Sequence, residues 1–243
     1  MIRFLRSIIA IFLFILFGLG ALFIRYLIFP FQKSKKENYA TLQKSWQIFV
    51  WLIKITKIID LKVYNPEKIK NIKNSIIAST HPSFIDIVIL MSIIPYSTCF
   101  VANKLTRNPF LKGMVELLFI SEANSEIGWL ADSVEKLNEG LNIIIFPMGG
   151  RHKRDEFPKI RRGVSLIAYE SKKDIVLLDI KEDKPFLQAH QPFYDAGDET
   201  VNFEINYLDK INTSEILEKF PDSVTFKTEV TKIITKILYR YKN

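Results

Sequence analysis

The chain has 243 residues, enough for one α/β domain with a sizeable core or for two small domains. Apolar residues make up 48% of it and the formal net charge is +8, unevenly spread: residues 1–73 carry 13 Lys and Arg against 3 acids, residues 74–243 carry 21 against 23. A basic excess lying among long apolar segments points to an anionic membrane surface and away from nucleic acid, and the one cysteine, Cys99, excludes an internal disulfide or a Cys-based zinc site.

Ser7 to Ile24 is an uninterrupted run of apolar and small residues, broken by Arg25 and resumed by Tyr26-Leu27-Ile28-Phe29. Its length is near the ~20 residues that a membrane-crossing helix needs. Phe29-Pro30-Phe31-Gln32 follows where a cleaved signal peptide would place small residues, so the segment reads as a retained anchor. Arg3 and Arg6 precede it and Lys33, Lys35 and Lys36 follow, so charge does not choose an orientation, and spanning and half-insertion both fit.

From Leu42 to Ile59, Gln43, Gln47, Lys54 and Lys57 share one narrow helical face. Trp46, Phe49, Val50, Trp51, Ile53 and Ile58 lie around the rest. This pattern predicts an amphipathic interfacial helix, with a core-packing helix as the alternative. Two such helices joined by a basic turn predict a hairpin dipped into one leaflet.

Beyond Leu61 short apolar runs alternate with helical patterns. Leu61–Tyr64 and Ile76–Ser79 read as strands, and Ser83–Ile94 as a helix. Thr98–Ala102 reads as a strand, Thr106–Leu118 as a helix, and residues 119–121 as a short strand. Ile127–Asn138 reads as a helix ended by Gly140. Asn142–Phe146 reads as a strand, Val164–Ser171 as a helix, Ile175–Ile180 and Val201–Leu208 as strands, and Ser223–Tyr241 as a basic helix. This alternation predicts an α/β fold: a mostly parallel sheet flanked by helices, following the N-terminal two-helix membrane hairpin. The division falls near residue 60, with anchoring helices in 1–60 and the α/β domain in 61–243. Cys99 lies in an apolar stretch and reads as a core residue in a reducing compartment.

Two stretches carry chemistry. The first is Thr80-His81-Pro82-Ser83-Phe84-Ile85-Asp86, directly after the apolar run Ile76-Ile77-Ala78. It puts an imidazole at a strand-to-helix turn with a carboxylate one and a half turns later. An aspartate holding one ring nitrogen leaves the other free as a base. The alternative is a buried capping histidine beside a solvated aspartate. Ser83 lacks the flanking glycines of a nucleophile elbow.

The second stretch is Phe146-Pro147-Met148-Gly149-Gly150-Arg151-His152-Lys153-Arg154, after the strand Ile143-Ile144-Ile145. Gly149 and Gly150 let the backbone approach a ligand and aim N–H groups at it. Arg151 offers a planar fork for phosphate or carboxylate. Arg154, Lys159, Arg161 and Arg162 extend the positive charge, with Arg154 read as solvated. The carboxyl end of a strand is where open α/β sheets bind ligands.

Together these stretches resemble the first and third sequence blocks of the glycerolipid acyltransferases, the family of 1-acylglycerol-3-phosphate acyltransferases. The patterns there read Asn-His-x4-Asp and Phe-Pro-Glu-Gly-Thr-Arg. The resemblance covers residues 40–180. Val101-Ala102-Asn103-Lys104-Leu105 resembles the family's Ala-Lys-x-Glu-Leu stretch, and Arg161-Arg162-Gly163 its Lys-x-Gly. Thr80 stands where asparagine is usual, Met148 where glutamate is, and Gly150 where threonine is. Glu122 replaces an arginine of the second block, and Asp179 follows an apolar pair where the fourth block has proline. These departures bear on the acceptor more than on the chemistry.

The resemblance implies a membrane-associated O-acyltransferase. An acyl thioester, acyl-CoA or acyl-ACP, would be the co-substrate, and a lysophospholipid the acceptor. His81 would be the base, and Asp86 would fix its tautomer. Gly149 and Gly150 would supply oxyanion donors. Arg151 and Arg161, with Lys104 as a second cation, would bind the acceptor. No metal or cofactor is called for, and the active domain would face the cytoplasm. A thioesterase using the same pair, or a non-catalytic lipid-binding relative, are the alternatives.

Overall fold

The computed structural model describes residues 2–101, 112–121, 126–189, 191–192 and 195–242. Three isoleucine-rich strands lie side by side at the middle of a seven-stranded sheet: β2 (Ile76–Ser79), β5 (Asn142–Ile145) and β6 (Ile175–Glu182). Ile76, Ile77, Ile143, Ile144 and Ile175 are fully buried, because both faces of the sheet are covered. Continuous apolar runs of this kind are the mark of central parallel strands.

The strand order is β1-β7-β6-β2-β5-β3-β4, with β1 at Ile59–Val63, β3 at Ser97–Val101, β4 at Ile120–Ser121 and β7 at Val201–Ile211. All neighbours pair in parallel except β6 and β7. The expected α/β class and mostly parallel sheet are therefore present, with one antiparallel pair. The connection 183–200 carries no helix among its described residues, so the chain reverses into β7 without a crossover. Parallel register sets Ile76 against both Ile143 and Ile175, and Ala78 against both Ile145 and Leu177. The carboxyl ends of β2, β5 and β6 therefore converge at one edge of the sheet.

One face of the sheet is covered by α2 (Lys35–Ile55) and α4 (Asp86–Ile93), whose Phe49, Ile53, Ile89 and Leu90 pack with Ile77 and Ile144. The other is covered by α7 (Gly163–Ser171) and α9 (Ser223–Lys242). Val164, Ile167, Phe226, Val230 and Ile234 there meet Ile76, Ile143 and Ile175. Each such side chain contributes about 1.5–3 kcal/mol when fully buried. Cys99 is buried in the first cluster, and burial pushes its thiol up to about 12.

Helix α1 (Ile2–Phe23) runs on through a π-helical turn (Ile24–Ile28) and a 3-10 turn (Phe29–Phe31). The stretch from Ile2 to Phe31 is long and apolar enough to cross a membrane. Its outward residues Phe4, Ile8, Phe12, Ile15, Leu19 and Phe23 are exposed, whereas Phe14 and Phe17 pack tilted or edge-on against Phe49 and Trp46 of α2. Helix α2 departs from the interfacial expectation. Its apolar residues Leu42, Trp46, Phe49, Val50 and Ile53 are buried. The side chains of Gln43 and Gln47 donate to the carbonyls of Ser92 and Ile94, closing the carboxyl end of α4. Trp51, with Ile48 and Ile55, does remain exposed.

Two short helices went unread in the sequence, α3 (Pro66–Lys70) and α8 (Thr213–Lys219). The latter carries a usable signal, since the Asn212 side chain accepts from the Ser214 and Glu215 N–H groups as an N-cap. The remaining helices are α5 (Lys112–Leu118) and α6 (Glu126–Asn138). Residues 102–111 of the expected strand and helix lie outside the described residues.

Candidate active site

Helix α4 begins at Asp86, three residues later than the apolar pattern predicts. The intervening residues spend their hydrogen bonds elsewhere. Ser83 N–H donates to Asp86 Oδ2 at 2.7 Å, Ser83 Oγ donates to the Phe186 carbonyl at 2.5 Å, and Phe84 N–H donates to the Leu187 carbonyl at 3.1 Å. The turn is thereby fastened to the segment that follows β6.

This turn brings His81 and Asp86 together, with Nδ1 of the imidazole 2.9 Å from Oδ2 of the carboxylate. Asp86 is fully buried, which excludes the solvated-aspartate alternative. Its Oδ1 has no partner among the described residues. Burial pushes the Asp86 carboxyl above its ordinary value, opposed by the hydrogen bond and charge of His81, by Ser83 N–H and by Arg151. The carboxylate selects the tautomer with the proton on Nδ1, so Nε2 carries the lone pair. Nε2 has no partner among the described residues. The ring stacks on Phe146, with centroids 3.9 Å apart and planes 13° from parallel. Phe146 directly follows β5, so the sheet's register holds the imidazole in place.

The glycine loop leaves β5 through a turn closed by Gly149 N–H on the Phe146 carbonyl at 3.0 Å. That N–H is therefore occupied and does not face a ligand. The two glycines differ. Gly149 has φ +78, and a Cβ there would lie 2.3 Å from Arg161 Cζ, so the Arg161 guanidinium rests on this backbone. A Cβ on Gly150 would meet nothing closer than His152 Nε2 at 3.9 Å, so that position accepts a side chain. The loop is pinned to the first turn by His152 N–H on the His81 carbonyl, and to α7 by Arg161 N–H on the Pro147 carbonyl.

Arg151 donates through Nη1 to the carbonyls of Leu187 (2.7 Å) and Gln188 (3.0 Å), and its guanidinium stands over the exposed Phe84 ring at 5.9 Å. It ties the third site-forming segment to the other two. Arg154 departs from its reading as a solvated charge: its Nη1 pairs with Asp179 Oδ2 at 3.1 Å. Asp179 is buried and also accepts from Thr80 Oγ1 at 3.0 Å, while Thr80 Oγ1 accepts from Ile180 N–H at 2.7 Å. Lys104 and Glu122 lie outside the described residues.

A cavity of about 90 Å³ opens beside the pair, with Thr80, His81, Met148, His152, Arg154, Glu182, Lys184 and Gln188 among its lining. Sequence reading missed Glu182, which ends β6 and has no local motif around it. The site thus holds a base with a fixed tautomer, cationic side chains and a small void, an arrangement suited to activating a hydroxyl beside an anionic group.

A family model described as Acyltransferase matches residues 60–180. The 1-acyl-sn-glycerol-3-phosphate acyltransferase of Bacillus subtilis (strain 168) is 28% identical over 121 residues, spanning 48% of this chain and 60% of that protein. The 1-acyl-sn-glycerol-3-phosphate acyltransferase beta of Homo sapiens is 22% identical over 204 residues, covering 79% of this chain and 68% of that one. The chain thus spans about two thirds or less of the curated relatives it matches. The crystal structure of the 1-acyl-sn-glycerophosphate (LPA) acyltransferase PlsC from Thermotoga maritima shares the fold, with a TM-score of 0.74 over 100% of this chain and 96% of that one at 16% identity. The paired sequence blocks and the family match agree: this chain belongs to the acyltransferase family whose model spans half of it, and it shares its fold with PlsC.

Proposed function

We propose that this protein transfers a fatty acyl group from an acyl thioester, acyl-CoA or acyl-ACP, to the free hydroxyl of a lysophospholipid such as 1-acylglycerol-3-phosphate. The observation that carries this reading is the 2.9 Å bond between His81 Nδ1 and a fully buried Asp86. A neutral hydroxyl is a poor nucleophile. His81 Nε2 takes its proton as the oxygen attacks the thioester carbonyl, and Asp86 stabilises the imidazolium that forms. The tetrahedral oxyanion collapses and expels the thiolate, which takes the proton back from His81. Ser83 does not serve as a nucleophile, because its hydroxyl is buried and donates to the Phe186 carbonyl. This sequence of steps requires no metal or cofactor.

Oxyanion donors come from the glycine loop. With Gly149 N–H engaged in its turn, Gly150 N–H and its neighbour Arg151 N–H are the candidates. Arg151, Arg161 and Lys104 supply positive charge for the acceptor's phosphate.

Residues 1–60 anchor the protein on the bilayer, with the active domain on the cytoplasmic face. Both ends of the N-terminal helical stretch, residues 2–32, dock on the rest of the chain. Arg3 pairs with Asp195 at 2.6 Å, and Arg6 donates to the carbonyls of Lys57, Gly197 and Glu199. At the other end Phe29 is buried and Gln32 bonds Thr41. A helix held at both ends to one body lies along the membrane plane, half-inserted through its exposed apolar stripe, instead of crossing.

The test is acyl transfer from acyl-CoA and from acyl-ACP to lysophosphatidate by the purified full chain in vesicles. Diacyl product that disappears in His81→Ala supports the reading. Free fatty acid without diacyl product marks a thioesterase, and no thioester consumption marks a binding protein; either overturns it.

A further inference from the structure

A groove of about 770 Å³ runs along α2, between that helix and the edge formed by β1 and α3. Val50, Trp51, Ile55, Leu61, Val63 and Ile69 give it apolar walls. From Gln43 to Lys54 the helix rises about 16 Å along it, the length of much of a fatty acyl chain. One end reaches Ser92 and Ile93, at the carboxyl end of α4 and about 10 Å along that helix from Asp86. Among the described residues its lining shares none with the cavity beside His81. The charges of the lining are one-sided: Lys54, Lys57 and Lys70 stand against Asp60. Asp60 is bridged to Lys54 at 3.4 Å, and Lys54 also donates to the Leu61 carbonyl. The ammonium groups of Lys57 and Lys70 make no hydrogen bond or ion pair among the described residues. Gln43, Gln47 and Ser92, the neutral polar groups of the lining, are already bonded to carbonyls of α4 and Ile94.

The groove adjoins the apolar surface of the N-terminal helices. At about 100° per residue, the exposed Ile48, Trp51 and Ile55 form one stripe on α2. Phe49, which packs against Phe14 and Phe17 of α1, lies on one flank of that stripe, and Gln47 and Lys54 lie on the other. The exposed face of α1, the stripe on α2 and the groove therefore follow one another across one surface. Trp51 belongs to both stripe and groove, and its indole N–H donates no hydrogen bond among the described residues. A tryptophan in that state suits the headgroup level of a bilayer.

We propose that this groove binds one anionic phospholipid drawn from the bilayer. An acyl chain lies against Trp51, Leu61 and Ile69, and the phosphate sits at the end formed by Lys54 and Lys57. Arg6, which bonds the Lys57 carbonyl, brings a guanidinium to the same end, and Lys70 adds positive charge from α3. A choline lipid would bring its own cation to these lysines, so the seat selects a net negative headgroup. It gives the protein a headgroup preference that the apolar stripe of α1 cannot supply. The assignment rests on the membrane attachment proposed above and is independent of acyl transfer.

The experiment places the full chain in non-ionic detergent micelles, where no bilayer surface potential acts. It titrates phosphatidylglycerol or phosphatidylcholine carrying the same brominated acyl chains, whose bromines quench a tryptophan they touch. Phosphatidylglycerol should quench at about tenfold lower concentration than phosphatidylcholine, and Trp51→Phe should remove that headgroup-selective component. A lysine beside a lipid phosphate contributes about fivefold in affinity, so Lys57→Gln combined with Lys70→Gln should weaken phosphatidylglycerol by about tenfold or more and leave phosphatidylcholine unmoved. Lys219→Gln with Lys236→Gln, which removes the same charge from α8 and α9, should change neither lipid. Equal affinity for the two lipids, selective quenching that persists in Trp51→Phe, or an unchanged Lys57, Lys70 double variant overturns the proposal. So does shielding of Trp51 from aqueous iodide that grows with protein concentration in the absence of lipid, which marks the groove as a contact between copies of the chain. Failure of the parent to float with vesicles of either lipid would instead overturn the membrane attachment, whereas flotation without headgroup preference at Trp51 overturns the groove assignment alone.

Discussion

Thr80 Oγ1 donates to Oδ1 of Asp179 at 3.0 Å, so two residues that depart from the glycerolipid acyltransferase pattern bond to each other. The same hydroxyl accepts from Ile180 N–H, and Arg154 completes the arrangement by pairing with Asp179. The residue before His81, the end of β6 and the basic loop are thus joined in one polar network.

Thr80→Val should destabilise the fold, because it leaves Ile180 N–H unpaired and strips Asp179 of a donor. An unsatisfied buried group costs about 1–3 kcal/mol. At about 2–4 °C per kcal/mol for a chain of this size, thermal unfolding should show a visible fall in Tm. Thr80→Ser should stay close to the parent. Arg154→Ala should cost at least as much as Thr80→Val, since it leaves a buried carboxylate without its cation. A solvated Arg154 would give no change.

The two glycines should respond oppositely to alanine. Gly149→Ala puts a side chain at φ +78 and drives Cβ into the Arg161 guanidinium, so stability should fall by about 1–2 kcal/mol. Gly150→Ala has open space and should leave the melting curve unmoved. Equal effects at the two positions would contradict this loop geometry.

Arg151 holds the segment after β6 as well as contributing charge. Arg151→Ala should speed hydrogen exchange at Phe84 N–H, which bonds the Leu187 carbonyl, and weaken binding of a phosphate-bearing acceptor. Arg151→Lys should restore only part of either effect, since a lysine that reaches the Leu187 and Gln188 carbonyls has no second planar nitrogen left for a phosphate. Exchange at Phe84 that is unchanged in Arg151→Ala would show that the clamp is unimportant.

Membrane attachment should survive washing at high salt, because salt screens charges and leaves apolar burial intact. Single cysteines placed at Phe4 and Phe23, with Cys99 replaced by serine, should be shielded from aqueous thiol reagents, and Lys33→Cys should label from the same side as the active domain. Labelling of the two ends of α1 from opposite sides of sealed vesicles would establish crossing and contradict the in-plane reading.

The sequence made much of this architecture legible because its signals were local. Ile76–Ser79, Asn142–Phe146 and Ile175–Ile180 read as strands from short runs rich in isoleucine and other apolar residues, and His81 and Asp86 are close enough along the chain to be recognised as a pair. What stayed hidden depends on pairing across the sheet. Thr80 meets Ile180 only because β2 and β6 run in parallel register. Glu182 reaches the cavity for the same reason and has no spacing that marks it. The segment Phe186–Gln188 looked like loop, yet its carbonyls receive Ser83, Phe84 and Arg151. The wide apolar face of α2 reads equally as interfacial or as core, and only the presence of α1 and α4 decides that most of it is buried.

The most direct test of the account is a double-variant cycle at His81 and Asp86, following thioester consumption and diacyl product with and without lysophosphatidate. Removing a general base typically costs ~10²–10⁴-fold, so His81→Ala should fall in that range, and Asp86→Asn, which loses the charge that orients the ring, should also be severe. Because the two act as a unit, the double variant should be little worse than His81→Ala alone. Ser83→Ala should retain most turnover and lose only the stability of its bond to Phe186. Multiplicative losses in the double variant, or Ser83→Ala abolishing turnover while His81→Ala does not, would contradict the His81–Asp86 mechanism.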